Sequence, residues 1–313
     1  SALRVAPIKL EGYLNIDSGT LNPFRHGEVF VLDDGTECDM DLGTYERMLD
    51  QDLSRRNFCT SGQIFTSVLE RERHGGYQGR DVQMIPHVTG EVKLRLRRLA
   101  MEENADVVFV EIGGTVGDYE NGYFIEAVRE LAFEEGPGST CFVALTYIME
   151  PPTLGEQKSK AAQLGLRSLM GMGIQPRIVA CRANNPVSET VKQKISVYAN
   201  VPLDHVFSMH DSPSVYFVPD MVRESKIDQA MLRVLGLESK VDARRRERAQ
   251  QEWAAFTTKV RSVRDTVHVA ITGKYIALRD SYASIVNAVE HCSVEVGRRV
   301  QLDWVDTTDI TDE

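Results

Sequence analysis

The chain has 313 residues, 42% of them hydrophobic and 26% charged, with a formal net charge of −10. That balance fits a folded chain of about two domains and argues against nonspecific binding to nucleic acid. No run approaches the roughly 18 apolar residues of a membrane span and no secretory signal pattern opens the chain, so a cytoplasmic protein without a membrane partner is expected.

Strands are predicted at 4–10, 28–32, 81–86, 106–112, 141–148 and 177–181. Several are continuously apolar, as expected where a parallel sheet is covered on both faces. Helical periodicity fills the intervals at 44–53, 61–73, 90–103, 121–135 and 160–173. The alternation predicts a doubly wound α/β domain with a mostly parallel sheet over residues 1–237. Residues 238–264 are charged and helix-prone and read as an interdomain helical connector. The ARRRER run within it reads as an exposed helix face, with a phosphate or RNA patch as the sharper alternative. A strand at 266–275, a helix at 281–292 and a strand from 298 then open a second α/β domain over 265–313. That β-α-β beginning buries too little surface to stand alone. The stretch RVAPIKLEGYLNID reads as the second strand of a βαβ unit, and no GxxxxGK[ST] loop occurs. The chain is therefore expected to be an internal stretch of a longer protein. Its five cysteines are odd in number and never in CxxC spacing, which reads as reduced thiols rather than a disulfide or zinc framework.

The chemistry-bearing residues gather where apolar runs end. Glu111 closes the run DVVFVE and is followed by Gly113, Gly114 and Thr115. A carboxylate at a buried strand tip is costly unless it is paired or metal-bound, and an acid after such a run has the form of the Mg²⁺ acid of nucleotide-hydrolysing folds; the alternative is an acid capping the next helix. Asp39 and Asp41 alternate in CDMDLG and face one way on an extended segment. One of them can share Mg²⁺ with Glu111, or both belong to a solvated acidic loop. Asp118 and Glu120 suit hydrogen bonds from a ribose or base, although Asp118 equally suits the N-cap of the following helix. Lys158, Lys160 and Gln163 lie near a helix start, where lysines suit triphosphate oxygens or simply face solvent. His26 and His87 lack a partner at metal-ligand spacing.

At these residues the chain resembles the CTP synthase family. The matching stretches are YLNIDSGTLNPFRHGEVFVLDDG, DMDLGTYER, VQMIPHVTGE, VEIGGTVGD, MGIQPRIVACR and ITGKYIALRDSY, in order over nearly the whole chain. The resemblance implies a P-loop amidoligase fold followed by the start of a glutamine amidotransferase domain. It implies a ligase that phosphorylates the 4-oxygen of UTP with ATP and Mg²⁺ and lets ammonia from glutamine displace phosphate. By motif position Asp41 and Glu111 hold Mg²⁺, with Asp41 also at the ATP, and Lys9 faces the phosphates. Arg182, His210, Asp211 and Ser212 fall at the ATP, and Asp118, Tyr119 and Glu120 fall where the product CTP binds as inhibitor. Lys158, Ser159, Lys160, Ala161, Ala162, Gln163 and Lys194 match the contacts to the pyrimidine triphosphate. A homotetramer, filaments and activation by GTP are implied in the same way. The family's glycine-rich loop falls before Ser1 and its glutaminase nucleophile after Glu313, so these 313 residues by themselves are expected not to make CTP from glutamine. Glu11-Gly12-Tyr13, Asn121-Gly122-Tyr123-Phe124 and the stretch Ser159 to Leu164 depart from the family pattern, which points to altered pyrimidine binding. Three other readings fit parts of the pattern: a paralogue using a related pyrimidine nucleotide, a non-catalytic nucleotide-binding homologue acting as a regulatory or filament scaffold, and another amidoligase related to dethiobiotin synthetase.

Overall fold

A computed structural model describes residues 3–152, 155–274 and 276–308. Tyr275, the last residue of one predicted strand, lies outside the described residues. In chain order the elements are β1 (Val5–Glu11), α1 (Pro23–His26), β2 (Val29–Val31), β3 (Glu37–Asp39), α2 (Asp41–Leu49), β4 (Phe58–Thr60), α3 (Ser61–Arg73), α4 (Thr89–Glu102) and β5 (Val107–Ile112). They continue with α5 (Gly122–Glu135), β6 (Val143–Tyr147), α6 (Lys160–Gly171), β7 (Ile178–Ala183), α7 (Glu189–Ala199), β8 (Val206–His210), α8 (Val218–Ser225) and α9 (Ile227–Val234). The last are α10 (Ala243–Ser262), β9 (Thr266–Gly273), α11 (Ala283–Val296) and β10 (Arg299–Asp306). The fold is α/β with parallel sheets, as the strand–helix alternation predicts.

The chain divides into two compact units, one of residues 4–113 with 248–313 and one of residues 114–247. In the first, β1 lies between β4 and β5, parallel to both. Ala6, Ile8 and Leu10 on one face of β1 are almost fully buried, and Pro7 and Lys9 on the other are buried too, so the strand is covered on both faces. A satellite core of Leu32, Cys38, Leu42, Leu53 and Phe58 seats the antiparallel β2–β3 hairpin and α2 beside it. β9 and β10 form a separate parallel pair. In the second unit β7 lies between β6 and β8, all parallel. Its core joins Val179 and Cys181 of β7 to Ala162 and Leu166 of α6 and Val191 and Ile195 of α7.

Several details differ from the sequence reading, among them α7, α8 and α9, which no predicted element covers. The predicted strand at 81–86 is a wide helical turn, Met84–Val88, running into α4. Met84 and Ile85 are about half exposed, and Pro86 has no N–H to give a ladder, so the apolar run has no sheet to join. β4 and β8, by contrast, form from segments with weak patterns: NFCT is only three paired residues long, and VFSMH mixes polar groups into the run.

Candidate functional site

β1 and β5 pair with Lys9 directly opposite Glu111, so both side chains leave the same face near the carboxyl ends of their strands. Lys9 is buried, with a side chain only 7% exposed, yet its ammonium is ringed by acids. Nζ donates to Asp41 Oδ2 at 2.5 Å and to Glu111 Oε1 at 2.7 Å. Glu11 Oε1 lies 3.5 Å away and Asp39 Oδ1 4.0 Å away. The hairpin delivers the two aspartates: Asp39 ends β3, and its carboxylate accepts the N–H of Asp41 at 2.9 Å where α2 begins.

Burial by itself lowers the Lys9 pKa, but the Glu111 and Asp41 carboxylates outweigh it and hold the ammonium well above its ordinary value. Burial drives Glu11 the other way, from an ordinary 4.5 up to about 7, against the opposing pull of Lys9. Asp39 is raised for the same reason, burial. One cation thus faces four carboxyl groups. Asp41 and Glu111 are the accessible pair, their side chains 37% and 47% exposed, whereas Glu11 and Asp39 are largely covered. Surplus negative charge with two reachable carboxylates suits a hard divalent cation that takes its remaining oxygens from phosphate and water. Among the described residues no group of three or more His, Cys, Asp or Glu side chains is set to hold a metal by itself.

In the 114–247 unit the predicted residues also lie at strand ends and helix starts. Ser159 is the N-cap of α6 and is buried, while Lys160 and Ala161 at the helix start are exposed. Ala162 packs in the core instead, and Gln163 turns its amide back to Ser159 Oγ at 3.1 Å. Lys158 bonds Glu156. That bond keeps the Glu156 carboxyl below its ordinary range, with a smaller contribution from the charge of Lys194. Arg182 on β7 pairs with Asp211 at 2.5 Å, and Asp211 N–H bonds Ala183 O just past the Ala183–His210 register pair. Ser212 follows, half-buried.

Asp118 does not cap α5. Asn121 holds the N-cap position, and Asp118 accepts the N–H of Thr115 at 3.2 Å, closing the loop after β5. Tyr119 is 99% exposed and Glu120 is exposed beside it.

Two contributors escape a motif reading. Glu11 shares a strand face with Lys9, a signal present in the i, i+2 spacing of KLE. Gln157 has no such signal: it donates to Glu150 at 2.5 Å and to Pro186 O at 3.0 Å and accepts the N–H of Ser188, the N-cap of α7, at 2.8 Å. It ties the Lys158 segment to the helix that carries Lys194. A cavity of about 770 Å³ in the same unit is lined by β8, α7, α8 and α9. Of the residues predicted at a nucleotide it includes only His210, so the side-chain clusters, not this cavity, define the candidate site.

A family model described as CTP synthase N-terminus matches residues 1–237. The chain is 44% identical over 98% of its length to a CTP synthase of Thermococcus kodakarensis, covering 56% of that protein. It is 43% identical to a CTP synthase of Pyrococcus abyssi and 42% identical to one of Thermus thermophilus, each over 97% of this chain and 55% and 54% of the relative. The chain thus spans about half the length of the curated relatives it matches.

Proposed function

The chain belongs to the CTP synthase family, and on that premise we propose that the protein aminates UTP to CTP. In this reading ATP gives its γ-phosphoryl group to the 4-oxygen of UTP and leaves as ADP. Ammonia released from glutamine then attacks C4, and phosphate departs with the former 4-oxygen. The observation that carries it is Lys9 held between Asp41 and Glu111 at the carboxyl edge of a parallel sheet, where α/β folds build nucleotide sites.

Asp41 and Glu111 would hold Mg²⁺, which neutralises triphosphate charge when bound. Lys9, fixed by those same acids, presents its ammonium to phosphate oxygens; phosphoryl transfer needs positioned cations more than covalent help from the protein. The accessible Lys160, together with Lys158 and Lys194, which lie on segments joined through Gln157, supports a pyrimidine-triphosphate contact, with Ser159, Ala161 and Gln163 shaping the helix start and Ala162 backing it from the core. The Arg182–Asp211 pair, with His210 and Ser212, supports the ATP contact. Asp118, Tyr119 and Glu120 are the reading for CTP inhibition, consistent with the exposure of Tyr119. The family match covers residues 1–237, read here as the synthetase domain; residues 238–264 are read as the connector and 265–313 as the start of a glutaminase domain. Homotetramer formation, GTP activation and a cytoplasmic location belong to the same proposal; no helix among the described residues is long and apolar enough to cross a membrane.

The test is Asp41→Ala and Glu111→Ala in the full-length natural protein. Each is expected to abolish ATP-dependent CTP formation, followed by the absorbance change of the pyrimidine. Retained turnover in either variant removes the metal-binding role.

A further inference from the structure

Helix α11 begins without a cap of its own. Its N-cap, Tyr282, makes no side-chain capping bond, and no acid stands in its first turn. The first N–H groups of a helix need acceptors and favour negative charge. Here the acceptor comes from 256 residues earlier in the chain: Ser284 N–H lies 3.0 Å from both Glu28 Oε1 and Glu28 Oε2. The backbone makes a second tie, Glu28 N–H to Asp280 O at 3.0 Å. Gly27 permits that approach. It sits at φ +74°, and a Cβ there would fall 2.6 Å from Met40 Sδ and 3.3 Å from Asp280 O.

Glu28 is also the residue before β2. Val29 pairs with Asp39 across the hairpin, and Asp39 accepts the Asp41 N–H. The start of α11 is therefore linked by Glu28, one strand pair and one hydrogen bond to the acids that hold Lys9. We propose that Glu28 is a positioning residue that seats the start of α11, in the glutaminase-side segment, on the hairpin beside the Lys9 acids, coupling glutamine use to CTP formation. The inference rests on the proposed function and assigns Glu28 no contact with substrate.

The experiment compares glutamine-driven with ammonia-driven CTP formation in the full-length natural protein, its Glu28→Gln variant and its Glu28→Ala variant. Gln keeps an acceptor but loses the charge; Ala loses both. Ammonia-driven turnover is expected to stay near the unsubstituted value, which also reports that each variant is folded. Glutamine-driven turnover is expected to fall about fivefold or more, the lower end of usual coupling between sites, with Ala worse than Gln and with excess glutamate released per CTP. Equal loss with both nitrogen sources, or no loss with either, overturns the inference alone. If the unsubstituted protein makes no CTP from ammonia, the proposed function fails, and the inference with it.

Discussion

Glu111 and Asp41 outweigh the burial of Lys9 and hold its ammonium charged, and Lys9 in turn favours the charged form of Glu11 and Asp39 beside it. The arrangement has a cost at Glu11. Its carboxyl is raised by burial from 4.5 to about 7, so between those values the folded protein binds a proton that the unfolded chain releases. Stability from this group is fully present below pH 4.5 and is lost as pH rises through 7. The difference amounts to about 3 kcal/mol at most, at about 1.4 kcal/mol per pH unit. Glu11→Gln removes the titration. In metal-free buffer, denaturant unfolding at pH 5 and pH 8 is expected to show a larger loss at high pH for the unsubstituted protein than for the variant. An equal loss in both rejects Glu11 as the source. Glu111 was legible at the end of an apolar run and Asp39 and Asp41 in their alternating spacing, whereas Lys9 came only with the family resemblance and Glu11 escaped the motif reading. Asp41 and Glu111 were expected to share one metal, but Lys9 standing between them was not, because it lies 32 and 102 positions from them in sequence and only the tertiary fold sets the three side by side.

Among the elements, α3 shows how a segment supports the site without touching it. Thr60 ends β4 and caps α3, accepting the Gln63 N–H at 3.2 Å while donating to Ile16 O at 3.3 Å. Gly62 in the first turn leaves room for the loop that follows β1: a Cβ there would stand 2.3 Å from Leu14 O and 2.8 Å from Asn15 O. Both neighbours are backbone and cannot rotate away. Gly62→Ala is therefore expected to destabilise the protein by about 2 kcal/mol, within the usual range for overpacking, read as a lower denaturation midpoint with unchanged slope. A stability equal to or above that of the unsubstituted protein would show that the loop gives way freely. The helical periods at 61–73, 90–103 and 121–135 match α3, α4 and α5 closely because one buried stripe repeats over three or four turns. The run at 81–86 misled for the opposite reason: six apolar-rich residues carry no period that separates a strand from a turn.

Each of the two units has its own core, and the predicted contacts for the two nucleotides divide between them: Lys9, Asp41 and Glu111 in one, Lys158, Lys160, Lys194 and Arg182 in the other. Lys160 is exposed at the start of α6 and packs in neither core, so its truncation is expected to act on binding rather than on folding. Lys160→Ala is expected to raise the half-saturating UTP concentration about tenfold, the loss of roughly one charge-assisted hydrogen bond, while the ATP value moves less than twofold. Steady-state titration of each nucleotide separates the cases, and a change confined to ATP reassigns Lys160.

From the linear order of residues alone came the α/β class, most helices, the acids and lysines that end the apolar runs, and a family resemblance carried by long motifs. These are local properties, written in periods of two and 3.6 and in short strings. Tertiary structure decided which acids share Lys9, that Ala162 faces the core, that Asp118 closes a loop instead of capping a helix, and that Glu28 caps a helix 256 positions away. Those facts depend on strand register and on burial, and both are set by contacts between segments that no local pattern relates.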